Sequence, residues 1–144
     1  FIYNEPMLAE GIGERLTPIR IDNLKGKYIA IAKPAAESVS TKEAYSKVDE
    51  RRVEHLKPLT DCVATDIVHW RDIDDMVNDF EIPISEIRPV IGDFVREMYR
   101  NGACYSAMSG SGSAVYGIFD DVKLAESAVS ALCDAVTYVG RLQV

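Results

Sequence analysis

A serine–glycine segment set between two short apolar runs constrains this chain more than any other feature. Residues 106–119 read Ser-Ala-Met-Ser-Gly-Ser-Gly-Ser-Ala-Val-Tyr-Gly-Ile-Phe. Ala103–Met108 and Ala114–Phe119 each have the length and composition of a strand. The link between them, Ser109, Gly110, Ser111 and Gly112, is long enough only for a turn, so the two strands are predicted to form a hairpin. Gly110 and Gly112 let the backbone turn sharply through positive φ. Successive N–H groups in such a turn can form an anion-binding nest, to which Ser109, Ser111 and Ser113 would add hydroxyl donors. Local composition alone favours a plain hairpin turn. The segment lacks the Lys of a Walker A loop and does not match a dinucleotide fingerprint.

The rest of the chain arranges itself around this hairpin. Lys27–Lys33, with Gly26 before it and Pro34 at its end, is an apolar run that suits a strand buried on both faces. Ser40 reads as an N-cap with Glu43 completing a capping box, which starts a helix over Thr41–Lys47. Within 51–81, Trp70, Ile73, Met76, Val77 and Phe80 have helical spacing and predict one or two short helices. Ile84, Ile87, Ile91, Phe94, Val95 and Met98 form a cleaner stripe. Pro89 bends that helix or shifts its start, and Asn101-Gly102 stops it. Asp120-Asp121 caps a further helix with Val122, Ala125, Val129, Leu132 and Cys133 turned inward. Val136–Val144 is the last strand. From Lys27 the order is strand, helices, strand, strand, helix, strand. This is the split β-α-β pattern of an α+β, ferredoxin-like two-layer sandwich: an antiparallel sheet with helices packed on one face, spanning residues 25–144.

Residues 1–24 do not fit that unit. Phe1–Tyr3 and Pro6–Ala9 flank a turn at Asn4-Glu5, Gly11 and Gly13 bracket another, and Glu14–Ile21 alternates like a strand weakened by Pro18. These strands are expected to be shared with a neighbouring sheet. A chain opening on Phe1-Ile2-Tyr3 without an initiator Met predicts that something upstream is missing.

Composition removes several classes. The 144 residues, 47% of them hydrophobic, suffice for one domain with its own core. A net charge of −7 without a Lys/Arg cluster argues against nucleic acid. The longest basic cluster, Arg51-Arg52, sits in an acidic stretch and reads as a solvated turn. No stretch is apolar enough to span a membrane and no signal peptide is visible. Cys62, Cys104 and Cys133 fit neither a zinc motif nor a redox pair; they read as reduced thiols packed as small apolar residues, which points to the cytoplasm. His55 and His69 have no ligand partner in sequence, and Trp70 reads as a core or domain-contact residue. No metal site is expected.

In context, the string Ser106–Phe119 resembles the third conserved motif of the GHMP kinases, the family of galacto-, homoserine, mevalonate and phosphomevalonate kinases. The match includes its setting: a helix ending in Asn-Gly, a strand, the loop, and a strand ending in Phe119-Asp120. Three further stretches are similar to one branch, the kinases that phosphorylate the 2-hydroxyl of a cytidine diphosphate derivative of methylerythritol in non-mevalonate isoprenoid biosynthesis. They are Pro6–Pro18 (Pro-Met-Leu-Ala-Glu-Gly-Ile-Gly-Glu-Arg-Leu-Thr-Pro), Lys33-Pro34 with Val39-Ser-Thr-Lys-Glu-Ala-Tyr45, and Asn78-Asp-Phe-Glu81.

The resemblance implies a C-terminal domain whose partner is an N-terminal domain of the same polypeptide. That missing domain would carry the ATP loop, a Lys and a catalytic Asp, the last just upstream of Phe1. No catalytic residue is then expected within the chain, and Glu10, Glu14 and Asp74-Asp75 read as solvated charges. ATP and Mg2+ would serve the intact enzyme and neither would bind tightly to this fragment, which alone is expected to be inactive. Tyr45 matches an aromatic that stacks on the cytosine ring of the small-molecule substrate, and Thr41 matches a neighbouring pocket position. Ser109–Ser113 would face the active site. Exposed N-terminal strands would favour self-association. Two other readings remain open: another GHMP kinase acting on homoserine or in the mevalonate pathway, and a free-standing ferredoxin-like ligand-binding module.

Overall fold

The computed structural model describes residues 5–21, 24–50, 67–68 and 77–143. Phe1–Tyr3, Arg51-Arg52, His55, Cys62, His69, Trp70, Ile73, Asp74-Asp75 and Met76, about which the sequence raised expectations, lie outside the described residues.

Eight strands and four helices are described. In chain order they are β1 (Met7–Glu10), β2 (Arg15–Pro18), β3 (Arg20–Ile21), β4 (Tyr28–Pro34), α1 (Thr41–Glu50), β5 (Ile67–Val68), α2 (Glu81–Ile87), α3 (Pro89–Arg100), β6 (Tyr105–Met108), β7 (Val115–Phe119), α4 (Val122–Ser130) and β8 (Ala135–Arg141). The main sheet has the spatial order β6-β7-β4-β8, antiparallel throughout. Numbering its strands by sequence gives 2-3-1-4, which is the ferredoxin-like order, with helices on one face.

The sheet alternates, and one face carries the core. Ala30, Ala32, Val115 and Phe119 are fully buried on the helix side, together with Ile84, Ile91, Met98, Ala125 and Ala128 from the helices. Helix α3 lies over β6 and β7, and α4 over β4 and β8. Alanines on both surfaces, Ala30 and Ala32 on β4 and Ala125 and Ala128 on α4, belong to this one core and let helix and strand approach closely. The opposite face of β4 carries Ile29 and Ile31, which are only partly covered among the described residues. Among the described residues the run is thus fully buried on one face and half-buried on the other: its uninterrupted hydrophobicity combines small residues beneath a helix with larger ones on the more open side.

The predicted stripe Ile84–Met98 is two helices. They meet at Arg88, and Pro89 takes the first position of α3, where its missing N–H costs nothing. Asn101-Gly102 does end α3. Gly102 adopts φ 91°, its N–H reaches Tyr99 O at 3.0 Å, and Ala103 N reaches Met98 O at 3.0 Å, the paired bonds of a Schellman motif. Asp121 caps α4, its carboxylate accepting from Lys123 N at 2.7 Å. Cys133 is exposed, contrary to the inward stripe, because α4 ends at Ser130 and the helical spacing no longer holds beyond it.

The N-terminal segment forms a hairpin, β1 against β2, with Met7 opposite Pro18 and Glu10 opposite Arg15. Its turn runs through Gly11 and Gly13, both at positive φ. Arg20–Ile21 then pairs in parallel with Ile67–Val68, a two-residue contact inside a segment the sequence assigned to helices.

Candidate functional site

Three chain segments converge on the loop between β6 and β7. From within, Ser109 N reaches Ala114 O at 2.8 Å and Gly112 N reaches Ser109 O at 3.0 Å, which close the turn. Gly110 and Gly112 sit at φ 54° and 90°. A Cβ at Gly112 would lie 2.7 Å from Met108 Sδ and 3.7 Å from Val39 Cγ2, so a side chain there would have to displace Met108 as well as adopt the left-handed backbone.

The second segment precedes α1. Ser113, only 3% exposed, donates its hydroxyl to Glu37 O at 2.8 Å. The Glu37 carboxylate meets Arg88 Nε at 3.1 Å, and Glu43 in the first turn of α1 meets Arg88 Nη2 at 3.0 Å. Arg88 therefore ties the approach to α1, α1 itself and the α2–α3 junction into one ionic cluster. Ser40 caps α1 as expected, accepting from Glu43 N at 3.1 Å. The Glu43 side chain, expected to complete the capping box, reaches Arg88 instead.

The third segment is Asn78–Glu81. Asn78 Nδ2 donates to Met108 O and to Gly110 O, both at 2.8 Å. Asn78 Oδ1 accepts from Phe80 N at 3.1 Å, an Asx turn leading into α2. Glu81 Oε2 accepts from Met108 N at 2.6 Å. The side chains of Asn78 and Glu81 thus grip the backbone on the β6 side of the loop at three atoms.

Tyr45 on α1 is 58% exposed. Its ring meets Phe80 edge to face, with centroids 5.0 Å apart and planes at 82°. Thr41, one turn earlier on the same helix face, is exposed. The structure accordingly links Tyr45 to the Ser109–Ser113 loop through Phe80 and Asn78. It places Thr41 at the surface. Sequence reading missed Glu37 and Arg88 and the roles of Asn78, Phe80 and Glu81; Val77 and Phe80, expected on a helix, lie in the non-helical stretch before α2. An Asn two residues before Phe80 and three before Glu81, at the foot of an apolar stripe, was the available signal for a helix entry.

Beside the loop lies a pocket of about 300 Å³, lined by Asn78, Ser109 and Gly110 and by Tyr105 and Tyr116 from the open sheet face. The two rings stand 6.0 Å apart at 46°. Burial, above all, pushes both phenols above their usual range. The lining offers hydroxyls, amide and backbone groups and no cation. Among the described residues no three His, Cys, Asp or Glu side chains are grouped to hold a metal ion. The donor set of this pocket therefore fits a polar ligand better than Mg2+. Among the described residues no helix is long and apolar enough to cross a membrane.

Residues 64–137 match the family model described as GHMP kinases C terminal. The 4-diphosphocytidyl-2-C-methyl-D-erythritol kinase of Bacteroides thetaiotaomicron is 41% identical over 120 residues, 83% of this chain and 42% of that protein. The chain thus spans about two-fifths of the length of the curated relatives it matches. Among solved structures, a 4-(cytidine 5'-diphospho)-2C-methyl-D-erythritol kinase superposes with a TM-score of 0.68 at 24% identity, over 97% of this chain and 50% of that one. The homoserine kinase of Cytophaga hutchinsonii superposes with a TM-score of 0.67 at 16% identity, over 96% and 48%. These two likenesses concern the fold.

Proposed function

The chain belongs to the GHMP kinases, whose C-terminal region it covers, and we propose that it is the C-terminal part of an ATP- and Mg2+-dependent kinase that phosphorylates the 2-hydroxyl of 4-diphosphocytidyl-2-C-methyl-D-erythritol. The observation that carries this reading is the linkage of an exposed aromatic, Tyr45, to the glycine loop through Phe80 and Asn78. A flat ring suits a cytosine face, and a turn that carries the hydroxyls of Ser109 and Ser111, with the Ser113 hydroxyl committed to Glu37 O, suits the phosphate end of the same ligand. The curated relatives at about 40% identity carry the same enzyme name, which favours this acceptor over homoserine or mevalonate. Membership of a kinase family also displaces a free-standing ligand-sensing module.

Phosphoryl transfer asks for positioning and charge neutralisation. ATP with its metal supplies the phosphoryl group, and in this family the rest of the polypeptide holds it. The role left to this chain is to hold the base at Tyr45, with Thr41 at the margin, and to shape the wall at Ser109–Ser113. Residues 1–24 then run alongside the N-terminal domain, and residues 25–144 form the C-terminal one. The chain alone has no turnover on this reading, and the intact enzyme works in the cytoplasm of a bacterium. Self-association of the isolated chain through its N-terminal hairpin belongs to the same proposal; a clean monomer at high concentration on size-exclusion chromatography would contradict it.

The test is acceptor choice. The full-length parent, offered ATP with 4-diphosphocytidyl-2-C-methyl-D-erythritol, homoserine or mevalonate in parallel, phosphorylates only the first. Preference for either of the others would overturn the assignment.

A further inference from the structure

Besides linking Tyr45 to the loop, the Asn78-Asp-Phe-Glu81 segment holds the loop's backbone through two of its own side chains. Asn78 spends its whole amide on backbone: both Nδ2 bonds go to Met108 O and Gly110 O, and Oδ1 takes Phe80 N. Glu81 holds the N–H of the same residue, Met108. The residue fixed by Asn78 Oδ1 is the one whose ring packs on Tyr45. One side chain therefore sets two things at once, the path of the glycine loop and the position of the aromatic pair.

We propose that Asn78, supported by Glu81, is a positioning residue that locks the Ser109–Ser113 loop to the Tyr45–Phe80 pair, so that nucleobase site and phosphate-facing loop keep one fixed separation. The inference rests on the functional reading for its kinetic consequence but not for its structural one. An aspartate at position 78 is nearly isosteric and still accepts from Phe80 N. It cannot donate, and it sets a carboxylate against the two carbonyls of Met108 and Gly110. The aromatic platform keeps its anchor while the loop loses its own. A glutamine at position 81 keeps an acceptor for Met108 N and serves as the conservative control.

The experiment uses the full-length parent, wild type against Asn78→Asp and Glu81→Gln, with two readouts. In hydrogen exchange the loop amides of Ser109 and Gly112, which are bonded in the closed turn, exchange about 10-fold faster or more in Asn78→Asp, while Pro89–Arg100 is unchanged. In kinetics kcat falls about 10-fold or more while the acceptor KM stays within about 3-fold, the pattern of a loop misplaced in the transition state and not of a lost ligand contact. Glu81→Gln, which keeps an acceptor for Met108 N but loses its charge, moves both readouts in the same direction by less than Asn78→Asp. Unchanged loop exchange in Asn78→Asp would overturn the proposal, as would a uniform rise extending through α3 or an effect confined to KM. If the wild-type parent turns over none of this acceptor, the functional reading fails, and the exchange comparison still decides whether Asn78 holds the loop.

Discussion

Ser113 donates its hydroxyl to the carbonyl of Glu37 at 2.8 Å, joining residues 76 positions apart in sequence. The bond fastens the end of the glycine loop to the segment leading into α1. Because Ser113 is buried, Ser113→Ala leaves the Glu37 carbonyl without that partner. The expected loss is about 1–3 kcal/mol, read as a lower urea midpoint at constant slope for the isolated chain. A midpoint equal to wild type would mean that the loop is held from the Asn78 side alone.

The two glycines of the loop separate a conformational demand from a steric one. At Gly110 a Cβ meets nothing within 4 Å, so Gly110→Ala bears only the left-handed backbone, about 1 kcal/mol. At Gly112 the same φ sign is joined by a collision with Met108 Sδ. Gly112→Ala is therefore expected to cost at least about twice as much in chemical denaturation. Equal losses would show that Met108 yields freely.

Arg88 bridges Glu37 and Glu43 with side chains about a third exposed. At that exposure each pair is worth about 1 kcal/mol or less. Arg88→Met should cost stability at low salt and progressively less towards 1 M salt, as screening removes the attraction. A salt-independent loss would assign the effect to packing of the Arg stem.

These contacts show where sequence reading works and where it stops. Elements with a local signature were legible: Tyr28–Pro34 from its apolar run, Ser40 from its cap, Gly102 from the helix stop, the hairpin from its glycines. The mistakes came where a local pattern was carried too far. Cys133 continued a stripe past the end of its helix, and Lys27–Lys33 was given two fully buried faces because its alanines and isoleucines look alike on a hydropathy scale. Arg88, Glu37 and Asn78 had no periodic signal at all. Their partners lie far along the chain, and which side chain meets which backbone atom depends on the sheet order that brings β4 beside β7.

Asp120 supplies a pH prediction. A hydrogen bond from Lys27 and a second from Cys104 Sγ at 3.2 Å, in that order, hold its carboxyl below the usual carboxylate range. A carboxyl depressed in the folded state adds stability above its unfolded pKa and loses it as pH falls through the folded one. The acid limb of the stability curve, below about pH 4, should flatten in Asp120→Asn. An unchanged acid limb would remove Asp120 from the account.

The same cluster sets thiol reactivity. Burial, then the bond to Asp120, pushes the Cys104 thiol up, whereas Cys133 is exposed. Alkylation at pH 8 followed by mass mapping should label Cys133 well before Cys104, since the thiolate is the reactive form. The reverse order would contradict the placement of both.

The most direct measurement is the steady-state kinetics of the full-length parent and its Tyr45→Ala variant with ATP and 4-diphosphocytidyl-2-C-methyl-D-erythritol. Loss of a base-stacking contact worth about 1–3 kcal/mol predicts turnover in both, with the acceptor KM raised about 5- to 150-fold and kcat nearly unchanged. A folded parent that leaves this acceptor unphosphorylated, or a variant whose KM does not move, would contradict the account.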